Sequence, residues 1–117
     1  MEELIEKAVF VGIIRQNDDD RKVMEYLDEL EFLAETAGAK GDKKFVQRLD
    51  KPEKATYIRS GKLQEIAEYC EENEIKYVIF DDELTGMQQR NIEKVINCSS
   101  VIDRTSLILE IFAQRAK

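Results

Sequence analysis

Two acidic clusters are the first residues in this chain whose types and spacing could do chemistry. Asp18-Asp19-Asp20 follows the apolar run Ala8–Ile14, and Asp81-Asp82-Glu83 follows a second run, Tyr77–Phe80. If those runs are adjacent strands of a parallel sheet, both clusters lie on one rim. Carboxylate oxygens converging there suit Mg²⁺, a hard cation that takes oxygen ligands. Asp19, Asp81, Asp82 and Asp103 are the candidate residues for such a site. The ordinary reading of the same acids is electrostatic: close to helix N-termini, the macrodipole favours negative charge by ~0.3–1 kcal/mol.

Other chemistries lose their central residues. The 117 residues include no histidine, which removes the usual general base and the commonest zinc ligand. Cys70 and Cys98 lack the CxxC spacing of a zinc or redox site, so a reducing, cytoplasmic setting is expected. A phosphate-cradling loop needs GxxxxGK[ST]. Here Gly61-Lys62 is followed by Leu63, and Thr56 stands where the first glycine belongs. Gly12 lacks the rest of GxGxxG. A nucleotide could still enter the crevice at the carboxyl ends of the strands, but no motif demands one. The acidic rim resembles the phosphoacceptor pocket of response-regulator receiver domains. Against that, Arg15 and Gln16 stand where such a pocket would carry acids, and the sheet is one strand short.

The elements that must hold these residues alternate. Ala8–Ile14 reads as a buried strand, and Val23, Leu27, Leu30, Ala34 and Ala37 form a helical stripe ended by Gly38. Lys44–Leu49 reads as a second, more exposed strand. Leu63, Ile66, Ala67 and Cys70 share one helical face, and Tyr77–Phe80 is the third strand. Thr85 and Gln88 form a capping box opening a helix that carries Ile92, Val95 and Ile96, with Asn97 placed to close it. Ser100–Asp103 is a short fourth strand, and a last helix starts near Thr105. This order predicts an α/β fold: a four-stranded parallel sheet, strand order 2-1-3-4, with helices on both faces. Gln88, Gln89, Arg90 and Asn91 are polar for a first helical turn, so part of that turn is expected to face solvent or a partner.

Composition fits one ordered domain, with 43% hydrophobic residues, five glycines and one proline. No apolar run approaches the ~20 residues needed to cross a bilayer, and Met1–Lys7 lack the pattern of a secretory signal, so no membrane partner is expected. The net charge of −7 argues against a dedicated nucleic-acid binder, yet it is unevenly placed. Between Lys40 and Gln64 stand eight basic residues against three acidic ones, so this window is +5 and the rest of the chain −12. Such a face could meet RNA phosphates. The ordinary alternative is a strand edge guarded by lysines. The last helical pattern runs to Lys117 without a stop signal, as in a fragment of a longer protein or in a natural helix that frays.

Several blocks together resemble one family. Gln47-Arg48-x-Asp50-Lys51-Pro52 and Ala55-Thr56-Tyr57-Ile58-x-x-Gly61-Lys62 are similar to a signature in the N-terminal domain of HflX-type translational GTPases. Asp81-Asp82-Glu83-Leu84, Gln88-Gln89-Arg90-Asn91 and Val101-Ile102-Asp103-Arg104-Thr105 match further blocks in the same order. Ile108–Ala116 resembles the block leading into that family's helical linker. Arg59 stands where the family usually has glycine, Lys54 and Gly86 replace prolines, and Ser106 replaces a glycine. Because positive φ would be costly for arginine, an extended backbone is expected at position 59.

The resemblance implies an isolated, non-catalytic N-terminal domain whose parent associates with the large ribosomal subunit. The helical linker and the GTPase domain, with its GTP and Mg²⁺, are absent from this chain, so no cofactor is expected here. Candidate RNA contacts are Arg48, Lys51, Lys54, Arg59 and Lys62. Candidate docking residues on the rim are Tyr57, Asp81, Asp82, Glu83, Gln88, Gln89, Arg90, Asp103 and Arg104.

Overall fold

Eight elements alternate along the chain, each with a local cause. The computed structural model describes residues 6–115. Strand β1 (Lys7–Ile14) is buried from Ala8 onward, as a strand covered on both faces must be. Helix α1 (Asp20–Thr36) is capped by Asp19, whose carboxylate accepts the Arg21 N–H, and it buries Val23, Leu27, Leu30 and Ala34. It ends before Gly38, whose φ of 100° suits glycine and few other residues. Strand β2 (Lys40–Arg48) and helix α2 (Ser60–Glu72) follow, separated by an eleven-residue loop, 49–59. Then come β3 (Tyr77–Phe80), α3 (Gly86–Val95), β4 (Ser100–Asp103) and α4 (Arg104–Arg115).

The strands form one parallel sheet in the order β2-β1-β3-β4, the order expected from right-handed crossovers and the exposed character of the second strand. Strand β1 sends alternate side chains into two cores. Val9, Val11 and Ile13 pack with Leu63 and Ile66 of α2 and Ile92 of α3. Ala8 and Phe10 pack with Leu27 and Leu30 of α1 and Leu107 of α4. Burying each Val, Leu, Ile or Phe side chain among these stabilises by ~1.5–3 kcal/mol. Gly12 lets α1 lie close to the sheet: a Cβ there would stand 3.2 Å from a Leu27 methyl. The chain moves outward from β1 through α1 to β2, then returns through α2 past β1 to β3, so the strand order reverses between β1 and β3. Open α/β sheets place ligands outside the carboxyl ends of the strands at such a point.

Some boundaries differ from expectation. Strand β2 starts at Lys40, not Lys44. Its pairing shifts between Ala8↔Gly41 and Val9↔Lys43, leaving Asp42 as an extra residue. The bulge erases the two-residue alternation that would mark the strand's first half. Val95 is exposed, and Ile96, which caps α3 in place of Asn97, takes the buried position. Helix α4 begins at Arg104, with Asp103 just before it. The readings of Met1–Ile5 and of a helix continuing over Ala116 and Lys117 fall outside the described residues. Among the described residues, no helix is long and apolar enough to cross a membrane.

Candidate functional site

The carboxyl rim of the sheet has an acidic side and a basic side, and Arg15 stands between them. On the acidic side, a cleft of about 400 Å³ opens beyond β1 and β3, lined by Asp18, Asp19, Asp81, Asp82, Tyr57 and Arg15 among others. Its carboxylates already have partners. Asp18 accepts the Arg15 N–H at 2.8 Å, and Asp19 caps α1. Asp81 accepts from Arg104 Nε at 2.9 Å, while the same guanidinium donates to the Tyr26 carbonyl at 2.8 Å. Asp82 accepts the Tyr57 hydroxyl and lies 3.5 Å from Arg15. Asp103 accepts the Leu84 N–H at 3.0 Å and the Ser106 N–H at 2.9 Å, so it ties the β3–α3 loop to the start of α4. Among the described residues, no three potential metal ligands stand close enough to share an ion. In place of the candidate cation site, Asp19, Asp81, Asp82 and Asp103 make separate hydrogen bonds and ion pairs.

Tyr57 is the anchor of this side. It adopts a φ of 67°, a conformation costly for a bulky residue, and is only 2% exposed. Its ring stands edge-on to Phe80 at 5.6 Å, and its hydroxyl meets Asp82. Burial, together with the Asp82 carboxylate, pushes the phenol well above the ordinary tyrosine range. The positive φ of this loop thus falls at Tyr57, while Arg59 is extended at φ −68°.

The polar first turn of α3 is structural. The capping box forms between Thr85 and Gln88. Gln88 is buried, and its amide also donates to the Glu53 carbonyl at 2.9 Å. Gln89 donates to the Val101 carbonyl at 2.7 Å, and Asn91 to the Ala55 carbonyl at 3.0 Å. These amides hold the loop 49–59 and β4 in place, because backbone carbonyls facing the interior need donors. Part of the turn faces solvent, as expected, at Met87 and Arg90, whereas Gln88 is buried and Gln89 and Asn91 are half-buried. Of the other docking candidates, Tyr57 and Asp103 are buried, Asp81, Asp82 and Arg104 are half-buried, and Glu83 is exposed. The signal available in the sequence was the run of amides itself, since Asn and Gln carry both donor and acceptor.

On the basic side, the residues of the window divide. Lys44 is held by Glu31 and Asp28 of α1 at 3.0 and 3.2 Å, which raises its pKa, the Glu31 hydrogen bond being the main cause. Lys43 sits over the rings of Phe45 and Tyr69. Lys62 pairs with Glu65 on its own helix at 3.3 Å. Lys51 and Lys54 are exposed on the loop 49–59. Arg48 pairs with Asp20, and Arg59 lies 3.7 Å from Glu53. Arg48 and Arg59, together with Arg15, line a shallow depression of about 270 Å³ beyond β1 and β2. The fold makes this meeting. Ile14 pairs with Arg48 across the strands, so Arg15 emerges beside it, and the Arg59 N–H donates to Gln47 Oε1 at 2.9 Å. Arg15 was absent from the RNA-contact candidates, because its place depends on a register that the sequence does not display.

Comparison with known proteins identifies the family. The family described as "GTP-binding GTPase N-terminal" matches residues 24–113. The chain belongs to the HflX GTPase N-terminal domain family. It is 52% identical over 112 residues, 96% of its length, to a GTPase HflX of Flavobacterium psychrophilum. To the GTPase HflX of Escherichia coli it is 40% identical over 112 residues, again 96% of its length. The chain spans about a quarter of these HflX relatives, 27% and 25% respectively. Among solved structures, a GTP-binding protein of Sulfolobus solfataricus in complex with GDP matches with a TM-score of 0.68 and 26% identity, covering 93% of this chain and 30% of that one.

Proposed function

We propose that this HflX-type domain is a non-catalytic docking module, acting in the cytoplasm, that brings a translational GTPase to the RNA of the large ribosomal subunit. The observation that carries the reading is the charge division of the carboxyl rim. Acidic side chains on one side are occupied by the fold, whereas Lys51, Lys54 and Arg59 on the other reach into solvent. Exposed cations on an otherwise acidic body suit a polyanion approached from one direction only. GTP and Mg²⁺ chemistry would belong to the GTPase domain of the parent chain, which the helical linker would join to this one.

The test is co-sedimentation of the 117-residue chain with purified large ribosomal subunits at low and at physiological salt. Binding that weakens steeply with salt is the expected result. No binding at low salt would move the ribosome contacts to other parts of the parent and end this reading.

A second partner within the same parent is favoured by a separate observation. Phe32 on α1 and Leu109 and Phe112 on α4 are 68%, 63% and 67% exposed, and α1 and α4 pack on the same face of the sheet. Large apolar side chains gathered on one face mark an interaction surface. We assign it to the helical linker or GTPase domain of the parent chain. Phe112→Ser in a longer parent should loosen this domain, seen as faster amide exchange on α1 and α4. Unchanged exchange would remove the assignment.

A further inference from the structure

The geometry points to the depression formed by Arg15, Arg48 and Arg59 as a phosphate subsite for an RNA backbone. This rests on the docking reading above and names the residues of that surface that would hold the polyanion. Three guanidinium groups face one depression against a single carboxylate, Asp50. Their present partners, Asp82, Asp20 and Glu53, lie on three different elements. Both members of each pair are between 46% and 69% exposed, and pairs of that kind contribute little to stability. They can be exchanged for a phosphate at small cost. A guanidinium fork matches two oxygens of a phosphate, which an ammonium group cannot do. Arg59 is also the N-cap residue of α2 and gives the first-turn amides no side-chain acceptor, so the positive end of that helix lies uncapped at the same corner.

The depression is shallow, and the loop 49–59 beside it carries exposed Lys51 and Lys54. A site that continues into further cations suits a phosphodiester chain better than a single free anion. In this arrangement the arginines fix the register of one phosphate, and the lysines attract its neighbours without fixing geometry.

The experiment is fluorescence anisotropy of a short labelled single-stranded RNA with this chain, across a salt series, beside large-subunit co-sedimentation. Wild type is compared with R48Q/R59Q, with R15Q, and with the charge-matched control K76Q/K94Q at the opposite end of the sheet. R48Q/R59Q should weaken RNA binding about tenfold and flatten the salt dependence by about one phosphate contact or more, while the control stays within about twofold. R15Q should weaken binding in the same direction. Thermal melts check that each variant is folded. If wild type binds RNA and subunits, and R48Q/R59Q binds no worse than K76Q/K94Q, the subsite is wrong while the docking reading stands. If wild type binds neither, both fall together.

Discussion

The two sides of the carboxyl rim contain the same kinds of groups, arginines and carboxylates a few ångströms apart, yet they are built differently. On the acidic side, Asp81 meets Arg104 and Asp82 meets the Tyr57 hydroxyl in a half-buried setting, and Asp103 is buried. On the basic side, Arg48 and Arg59 lie in the open, each beside one exposed carboxylate. Desolvated groups must keep their partners, because an orphaned one costs about 1–3 kcal/mol. Solvated groups can trade theirs. The acidic cleft, which first suggests a metal site, is therefore a structural joint, and the plainer basic corner has donors available for a ligand.

The largest expected effect breaks the joint at its anchor. Tyr57→Ala removes the ring packed on Phe80 and the hydroxyl on Asp82 and should cost about 3–5 kcal/mol in urea unfolding. Tyr57→Phe isolates the hydroxyl and should cost about 1 kcal/mol, since Asp82 keeps Arg15 and partial solvation. Equal losses for the two variants would show that the hydroxyl, not the ring, dominates.

Asp103→Ala comes next, at about 2 kcal/mol, because it strands the Leu84 N–H and uncaps α4. A loss under about 0.5 kcal/mol would mean that the joint does not reach β4. Gln88→Ala should cost about 1–2 kcal/mol and increase amide exchange in the loop 49–59, which the Glu53 carbonyl contact helps to hold.

A pH test probes the joint on the acidic side through the Tyr57 phenol. The Tyr57 phenol is raised above its ordinary value of 10.0, so the stability linked to its neutral form is complete below that pH. It is lost as pH rises through the folded value. Unfolding free energies measured above pH 10 should fall more steeply for wild type than for Tyr57→Phe. Tyr69 and Tyr77, raised in the same direction, leave a common remainder in both proteins.

The smallest expected effect lies at the basic corner. Arg48→Gln should change stability by less than about 0.5 kcal/mol, because its partner Asp20 is exposed and remains solvated. A change like that of Asp103→Ala would erase the contrast between the two sides.

How much of this was legible varies with the kind of information. Strands β3 and β4 are bounded as read, because short apolar runs between turn signals carry their own limits. The capping box was legible for the same reason: Thr85 and Gln88 are three residues apart. The first half of β2 was not, since the bulge at Asp42 breaks the alternation. The contacts of Gln88 and Asn91 were not legible because their acceptors, the carbonyls of Glu53 and Ala55, lie 35 and 36 residues earlier in the chain.

The sequence by itself determined the element order, the parallel sheet and the family, because period, capping and block order are local or ordered along the chain. Only the tertiary structure decided which charges are free. Pairing between Asp81 and Arg104, Asp82 and Tyr57, or Asp20 and Arg48 spans 23 to 28 residues and depends on strand register and crossover direction. Composition counts a carboxylate and a guanidinium without recording whether they have met. Desolvation, which sets the cost of separating them, exists only once the chain has folded.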